Sequence, residues 1–371
     1  MSHGRESAVT AKVAFQFADD PNFSSLAAGV FSEAEPDCLT IIPTYRCNAS
    51  CTECCFESNS SIRHRMSRDD LLSIIQQVPT DFPRVRYVVL TGGEVTLLRD
   101  DLISAIRLLS SLGLGSRIVT NGHWGRTEES AIKWVRSFLA AGLCELNLST
   151  GDEHQEWVPF ASVATAAYQA VAHGVTTVLV IEGQDNARFS LDSATTNEHI
   201  QMIYGDVELK QRFILMSNIW MPFHEGGNGT SSLIEDKYEG CDNIFDNFVV
   251  NPHGHLMSCC GLTMEYIPEL KVGNVHSDSM RSIYRNQYDD LLKLWIWLDG
   301  TRHIFDQLAE RHGLKLLSPH PCSICAQLYK TEGIRSALSE MLQANEESIV
   351  FRAAIKAQLT GRAPPNRAAI S

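Results

Sequence analysis

The segment Cys47-Asn-Ala-Ser-Cys51-Thr-Glu-Cys54 brings three thiols into eight residues, directly after the apolar, strand-like run 38–44. Three thiolates on one loop can hold one face of a 4Fe-4S cluster and leave the fourth iron without a protein ligand. A structural zinc site instead needs four ligands and usually takes them from C-x2-C pairs. Cys55 is poorly placed as a fourth ligand, because adjacent thiolates do not easily reach one cluster. The spacing favours an iron-sulfur cluster, with zinc as the alternative.

Strand and helix patterns alternate along the chain from this point. The predicted strands are 38–44, 85–90, 116–120, 144–150, 176–182 and 212–217. Amphipathic helical patterns separate them, and the first helix begins behind Ser67 as its N-cap. Repeated strand-helix units predict an α/β fold with a parallel sheet and right-handed crossovers. The strands are continuously apolar, which indicates that both faces of the sheet are covered.

Polar residues and glycines follow several of these strands, at the edge where a parallel α/β sheet binds its ligands. The candidates are Thr91, Gly92, Gly93 and Glu94 after the second strand, Asn121 after the third, and Ser149 and Asp152 after the fourth. Glycines let a backbone approach a ligand closely, and Glu94 can accept a hydrogen bond from an ammonium group. Asn121, Ser149 and Asp152 are also ordinary turn residues, so a purely structural role is equally open for them.

The cysteine spacing, followed by Thr91–Glu94, makes residues 38–220 resemble the radical S-adenosylmethionine (radical SAM) superfamily. The resemblance implies a partial (β/α)6 barrel in which Cys47, Cys51 and Cys54 hold the catalytic 4Fe-4S cluster. The open iron would bind S-adenosylmethionine, which is reductively cleaved to a 5′-deoxyadenosyl radical that takes a hydrogen atom from the substrate. Thr91–Glu94 are similar to the GGE motif of the family. Asn121, Ser149 and Asp152 would then lie against the bound S-adenosylmethionine.

The residue before the third cysteine departs from the family pattern. Relatives commonly have an aromatic residue at this position, and this chain has Glu53. Phe56 is the substitute that we expect for the contact with adenine. The resemblance also implies an external electron donor such as flavodoxin or ferredoxin.

A second set of cysteines lies in the C-terminal third of the chain. Its members are Cys241, Cys259, Cys322 and Cys325. Zinc competes for these four residues on spacing alone. Beside a radical SAM domain the pattern resembles a Twitch or truncated SPASM module, which implies one auxiliary 4Fe-4S cluster held by these cysteines. Cys260 is left over and could replace Cys259, be a buried thiol, or donate a hydrogen atom.

These patterns divide the chain into four parts. We predict an N-terminal extension (1–37), the barrel (38–220), a Twitch or SPASM-like module (221–330) with a helical insertion at about 278–313, and a C-terminal helix and tail (331–371). Two further cysteines, Cys38 and Cys144, stand alone in strand-like runs, where buried and inert thiols are expected.

Composition excludes several classes of protein. The 371 residues carry a net charge of -13 without a long Lys/Arg cluster, so nucleic acid is not an expected partner. The N-terminus lacks the apolar region of a signal peptide, and no window reaches the roughly 18 apolar residues of a membrane span. Eleven cysteines without a signal peptide indicate metal binding in a reducing compartment. We expect a cytoplasmic protein with no membrane partner.

The resemblance implies that a ribosomally made peptide is the first choice of substrate, with crosslinking, oxidation or epimerisation as the change. A small-molecule dehydrogenase acting on a sugar or cofactor precursor is the alternative, and a non-enzymatic zinc-binding protein is the alternative from another class. Only 37 residues precede the first strand, so a separate peptide-recognition protein, or the insertion at 278–313, would have to recognise the peptide. The candidate substrate contacts in this insertion are Trp295, Trp297, Arg302, His303 and Asp306.

Overall fold

Six parallel strands form the main sheet of the protein. The computed structural model describes residues 35–183, 187–219 and 238–360. The strands are β1 (Cys38–Ile41), β2 (Tyr87–Leu90), β3 (Gly115–Thr120), β4 (Glu145–Thr150), β5 (Thr176–Glu182) and β6 (Phe213–Asn218). Each pairs in parallel with its neighbour in chain order. All six predicted strands are present, and the predicted α/β fold is confirmed.

Helices follow the strands and continue through the C-terminal third. In the barrel region they are α1 (Arg68–Asp81), α2 (Asp100–Ser111), α3 (Glu128–Ala141), α4 (Asp152–Gln155), α5 (Phe160–Ala172), α6 (Leu191–Thr195), α7 (Glu198–Gly205) and α8 (Val207–Lys210). After a kinked turn at Asn243–Asp246 come α9 (Met280–Arg285), α10 (Leu291–His312), α11 (Pro321–Lys330) and α12 (Arg335–Leu359). No described helix is long and apolar enough to cross a membrane.

Local sequence explains where the first helices begin and end. The Ser67 hydroxyl accepts a hydrogen bond from the Asp70 amide at 3.0 Å, which is the predicted N-cap of α1. Thr127 caps α3 in the same way. Gly142 ends α3 in the left-handed conformation that favours glycine.

The sheet does not stop at the barrel. β7 (Asn247–Val250) pairs in parallel with the free side of β1, and β8 (His255–Met257) and β9 (Lys271–Asn274) add antiparallel strands. The strand order is β6-β5-β4-β3-β2-β1-β7-β8-β9. The strands β7 and β8 lie between Cys241 and Cys259 in the chain. Main-chain hydrogen bonds therefore join this segment to β1, the strand that leads into the first cysteine loop.

Two expectations about buried residues are wrong. Cys144 is exposed and Cys38 is only partly buried, because both lie at the start of a strand, where the sheet core ends.

Trp295 and Trp297, expected as substrate contacts, are 3% and 1% exposed and belong to the core. The C-terminal helix α12 covers Trp297, with the Lys356 ammonium 4.6 Å from the ring centroid. Arg302 pairs with Asp306 at 2.9 Å along α10.

Candidate active site

The loop after β1 carries the first three cysteines at the C-terminal edge of the sheet. Main-chain hydrogen bonds hold it: the Cys47 amide donates to the Asn59 carbonyl at 3.1 Å, and the Cys54 amide donates to the Cys51 carbonyl at 3.3 Å. The Ala49 amide points at the Cys47 sulfur, 3.4 Å away. The loop thus turns back on itself and directs its thiols to one side.

A cavity lies against this loop and collects most of the predicted site residues. Its wall includes Cys47, Cys51, Cys54, Thr91, Gly92, Gly93, Asn121 and Ser149. Glu53 and Phe56 also line it, and the Phe56 ring packs against Tyr45 with centroids 5.6 Å apart. Cys55 lines the cavity as well. The ends of three neighbouring strands, β2, β3 and β4, therefore meet the cysteine loop around one space.

The Gly92–Gly93 turn is pressed against the segment that leads into the cysteine loop. The Gly93 amide donates to the Thr44 carbonyl at 2.9 Å. A Cβ on Gly93 would lie 2.1 Å from the Arg46 carbonyl oxygen, and one on Gly92 would lie 2.4 Å from that of Thr44. Gly92 also has a φ of +136°, which few other residues adopt. These glycines set the distance between the second strand end and the cysteines.

Glu94 is fully buried and lies outside the cavity wall. One carboxylate oxygen accepts from the Thr96 amide (3.0 Å), the Thr96 hydroxyl (2.6 Å) and the Thr120 hydroxyl (2.8 Å). The other accepts from the Asn121 amide at 2.8 Å. Glu94 thus ties the second strand end to the third, and its described contacts are all with the protein.

Asn121 and Asp152 differ in their relation to the cavity. The Asn121 side-chain amide donates to the Asn48 side-chain oxygen at 2.9 Å and lies 3.8 Å from the Cys47 sulfur, so it faces the cysteine loop. Asp152 instead accepts from the amides of Arg188 (2.7 Å) and Phe189 (3.1 Å). Its carboxylate stabilises the segment after β5, outside the cavity wall.

The cavity wall also contains residues that the sequence analysis did not single out, among them Ser58, His154 and Leu262. The buried Ser58 hydroxyl has no hydrogen-bond partner among the described residues. Burial lowers the pKa of His154, although the Glu182 carboxylate lies 4.0 Å from its Nδ1. Ser58 has no local signal, whereas His154 could have been sought in the helix that follows the fourth strand end.

Comparison with known proteins now identifies the family. Residues 41–162, which contain the cysteine loop, the glycine turn and the ends of β1 to β4, match the model of the Radical SAM superfamily. This chain is an enzyme with a radical SAM domain. The superfamily implies a 4Fe-4S cluster and S-adenosylmethionine, and the resemblance drawn from the sequence is confirmed.

Individual relatives are distant from this radical SAM enzyme. YydG of Bacillus subtilis (strain 168), provisionally assigned to peptide biosynthesis, is 26% identical over 121 residues, which are 32% of this chain and only 37% of YydG. The structure of polyhistidine-tagged anSMEcpe with bound AdoMet has a TM-score of 0.50 and 16% identity, over 88% of this chain and 98% of that one. Streptococcus suis SuiB bound to its precursor peptide SuiA has a TM-score of 0.46 and 13% identity, over 83% and 84% of the chains. The sheet is the predicted partial barrel.

The residues of the radical SAM site fit an iron-sulfur cluster. Burial, followed by the charge of Glu94, raises the pKa of Cys47 to about 12, and burial raises that of Cys51 as well. Such thiols stay protonated until a metal replaces the proton. The unpartnered Ser58 hydroxyl is a hydrogen-bond donor that a ligand in the cavity would satisfy. Cys47, Cys51 and Cys54 are the residues that would hold the cluster.

The second cysteine set also converges in the folded radical SAM enzyme. A Cβ on Gly261 would lie 3.3 Å from the Cys322 sulfur and 3.4 Å from the Cys259 sulfur, so both sulfurs lie beside this glycine. Burial raises the pKa of Cys259, and the nearby thiols of Cys241 and Cys322 raise it further. Burial also raises the pKa of Cys325, with Cys259 as the next cause.

Cys260 interacts with both cysteine sets. Its thiol has a hydrogen bond with Thr40 of β1. Its presence raises the pKa values of Cys55 and Cys38 and also those of Cys259 and Cys322. Across the described residues, no three His, Cys, Asp or Glu side chains come together as tightly as one metal ion requires.

Proposed function

We propose that this radical SAM enzyme modifies a ribosomally made peptide, using a catalytic cluster held by Cys47, Cys51 and Cys54. The observation that carries the proposal is the convergence of these thiols with the glycine turn and Ser149 around one cavity. When bound, the cluster and S-adenosylmethionine supply a 5′-deoxyadenosyl radical, which abstracts a hydrogen atom from substrate.

The chain's own residues would position S-adenosylmethionine in this cavity. The turn Thr91–Gly93 would line the binding space beside the cysteines, because both glycines let it pack directly on the segment that leads into the cysteine loop. The Ser149 and Ser58 hydroxyls are available as polar contacts within the wall. Phe56, held against Tyr45, offers the apolar face that adenine requires. Glu94 would act through Thr120 and Asn121, by holding the third strand end in place.

Peptide as the substrate class is supported by the similarity to YydG, which extends over 121 residues. We propose crosslinking, oxidation or epimerisation as the change. Recognition of the peptide by a separate protein is part of the proposal, because the two tryptophans expected to contact it are buried.

An auxiliary 4Fe-4S cluster on Cys241, Cys259, Cys322 and Cys325 completes the proposal. The Cys259 and Cys322 sulfurs lie beside the same glycine, Gly261, which supports a shared site for these cysteines. A cubane takes its four thiolates on four different irons, whereas zinc takes all four at one centre. Cys259 suits the ligand role better than Cys260, which is turned towards Thr40.

Metal analysis of anaerobically purified protein tests the two clusters. We expect about eight irons and eight acid-labile sulfides per chain, as two 4Fe-4S clusters require. Cys47→Ala should reduce this to about four irons and abolish 5′-deoxyadenosine formation under reductant. Cys322→Ala should retain 5′-deoxyadenosine formation and lose the modified product. Cys144→Ala, at an exposed thiol, is the control that should change neither.

A short precursor peptide encoded beside the gene tests the substrate class. Mass spectrometry should detect a change in peptide mass, or chiral amino-acid analysis a change in residue configuration, that depends on S-adenosylmethionine and reductant. Stoichiometric zinc in place of iron would overturn the cluster assignment. Turnover of a sugar or cofactor precursor, with no change in any peptide, would overturn the peptide assignment alone.

A further inference from the structure

Tyr329 has a buried hydroxyl with no hydrogen-bond partner among the described residues. The side chain is 1% exposed, so water does not replace a missing partner at its surface. Leaving a buried hydroxyl unpaired costs roughly 1 to 3 kcal/mol. Such a group in a folded core indicates a partner that the polypeptide itself does not provide.

The hydroxyl lies on the same helix face as two cysteines of the second set. Cys322, Cys325 and Tyr329 occupy positions i, i+3 and i+7 of α11, which form one stripe. Side chains in a helix lean towards its N-terminus, so the Tyr329 ring reaches back towards Cys325. The pKa of Tyr329 is raised well above its ordinary value by burial and then by negative charge at Asp290, Cys325, Glu269 and Cys259. The hydroxyl therefore lies close to the Asp290 carboxylate and, next in effect, to the Cys325 thiol of this group.

A buried ammonium group lies on the neighbouring helix. Lys293 of α10 is 3% exposed, and its Nζ lies 3.3 Å from a carboxylate oxygen of Asp290. Its positive charge lowers the pKa of Cys325, against the effect of burial. A fully buried lysine is rare without a strong reason, because removing its charge from water is costly. Asp290 supplies one compensating charge, and the cysteine thiolates of a loaded site would supply more.

We propose that the Tyr329 hydroxyl donates a hydrogen bond to the auxiliary cluster or to its Cys325 thiolate, and that with Lys293 it raises the reduction potential of that cluster. The inference rests on the proposed auxiliary cluster. Reduction adds negative charge, and both a hydrogen bond to sulfur and a nearby ammonium stabilise the more negative state. Tyr329 and Lys293 are thus positioning residues for electron transfer, with no contact to S-adenosylmethionine.

The test is a redox titration of the holoenzyme, followed by electron paramagnetic resonance. Tyr329→Phe removes only the hydroxyl, and we expect the midpoint potential of the auxiliary cluster to become more negative while that of the catalytic cluster stays unchanged. Tyr288→Phe is the matched control: it removes another buried hydroxyl, which donates to Tyr284 at 3.1 Å, and should shift neither potential. An unchanged auxiliary potential in Tyr329→Phe would overturn the proposal.

A measurement on the unsubstituted protein covers the case in which the variant loses its cluster. Pulsed electron-nuclear double resonance of the reduced auxiliary cluster should detect one exchangeable proton in addition to those of main-chain amides. Its signal should disappear when the solvent is D2O. In protein whose tyrosine rings are labelled with deuterium, the same measurement should detect a deuterium coupling from one tyrosine ring. Absence of both couplings would also overturn the proposal. A wild-type iron content of about four per chain would instead refute the auxiliary cluster itself, together with this inference.

Discussion

Two glycines determine how closely the second strand end approaches the cysteine loop. Gly93 leaves no room for a methyl group, because its Cβ would lie 2.1 Å from a backbone oxygen that cannot rotate away. We predict that Gly93→Ala destabilises the protein by about 3 kcal/mol or more and lowers the iron content of the catalytic site. Denaturant unfolding and iron analysis measure the two effects.

Gly205→Ala is the matched control for this substitution. A Cβ there would meet no atom within 4 Å, and Gly205 is the last residue of α7. We expect stability and iron content to stay close to those of the unsubstituted chain. Equal effects of the two substitutions would contradict the view that Gly93 is required by close contact.

Glu94 is the second residue on which the site geometry depends. In Glu94→Gln an NH2 group replaces one of the two carboxylate oxygens, and this group cannot accept a hydrogen bond. At least one of the hydrogen bonds from Thr96, Thr120 and Asn121 is therefore lost. We predict a loss of roughly 1.5 to 3 kcal/mol in the free energy of unfolding of the apo protein. Glu129→Gln, at an exposed position in the first turn of α3, should have a small effect. A loss as small for Glu94→Gln would mean that the buried network does not stabilise the fold.

At the scale of elements, α11, the helix that carries Cys322 and Cys325, depends on an unusual N-cap. The Nδ1 of His320 accepts a hydrogen bond from the Cys322 amide at 3.1 Å, which requires this nitrogen to be unprotonated. Burial lowers the pKa of His320 below its ordinary value. The stabilisation is therefore complete above about pH 6.5 and is lost as the pH falls through the lower pKa of the folded state.

His320→Asn tests this pH dependence, since Asn is a good N-cap that does not titrate. We predict that the difference in the free energy of unfolding between the apo wild type and this variant is constant above pH 7. At acidic pH the wild type should lose about 1 kcal/mol relative to the variant. Urea unfolding at a series of pH values provides the comparison. Parallel pH profiles for the two proteins would show that His320 protonation does not affect the cap.

At the scale of the whole molecule, one sheet serves both cysteine sites. β7 covers the side of β1 opposite β2, and Phe248, Val249 and Val250 are fully buried there. The Ile42 amide, at the start of the cysteine loop, donates to the Val250 carbonyl at 2.9 Å. Removing the C-terminal third would expose the β1 edge and the apolar surface beside it.

We therefore predict that a chain ending at residue 219 does not fold into a stable barrel. It should be insoluble or unfold without a cooperative transition, whereas a chain ending at residue 360, which retains every described element, should behave like the full-length protein. Soluble expression and thermal unfolding distinguish the outcomes. Cooperative unfolding of the shorter chain would mean that the barrel is an independent domain.

The amino-acid sequence by itself determined the strands, their parallel arrangement and the two sets of cysteines. These features depend on local patterns: apolar runs of strand length, caps such as Ser67, and ligands spaced closely along the chain. The radical SAM resemblance followed from two such segments, Cys47–Cys54 and Thr91–Glu94. Most of the predicted cavity residues came from the same reasoning, because parallel strands end at a common edge.

Only the tertiary structure decided which of these side chains reach the cavity and which are held in the core. Glu94 turns inwards because Thr96, Thr120 and Asn121 offer it donors, and Trp297 is covered by a helix that lies about 60 residues further along the chain. Ser58 and Tyr329 carry no motif, and only burial without a partner distinguishes their hydroxyls. Contacts between distant segments set these features, and such contacts leave no periodic or local mark in the sequence.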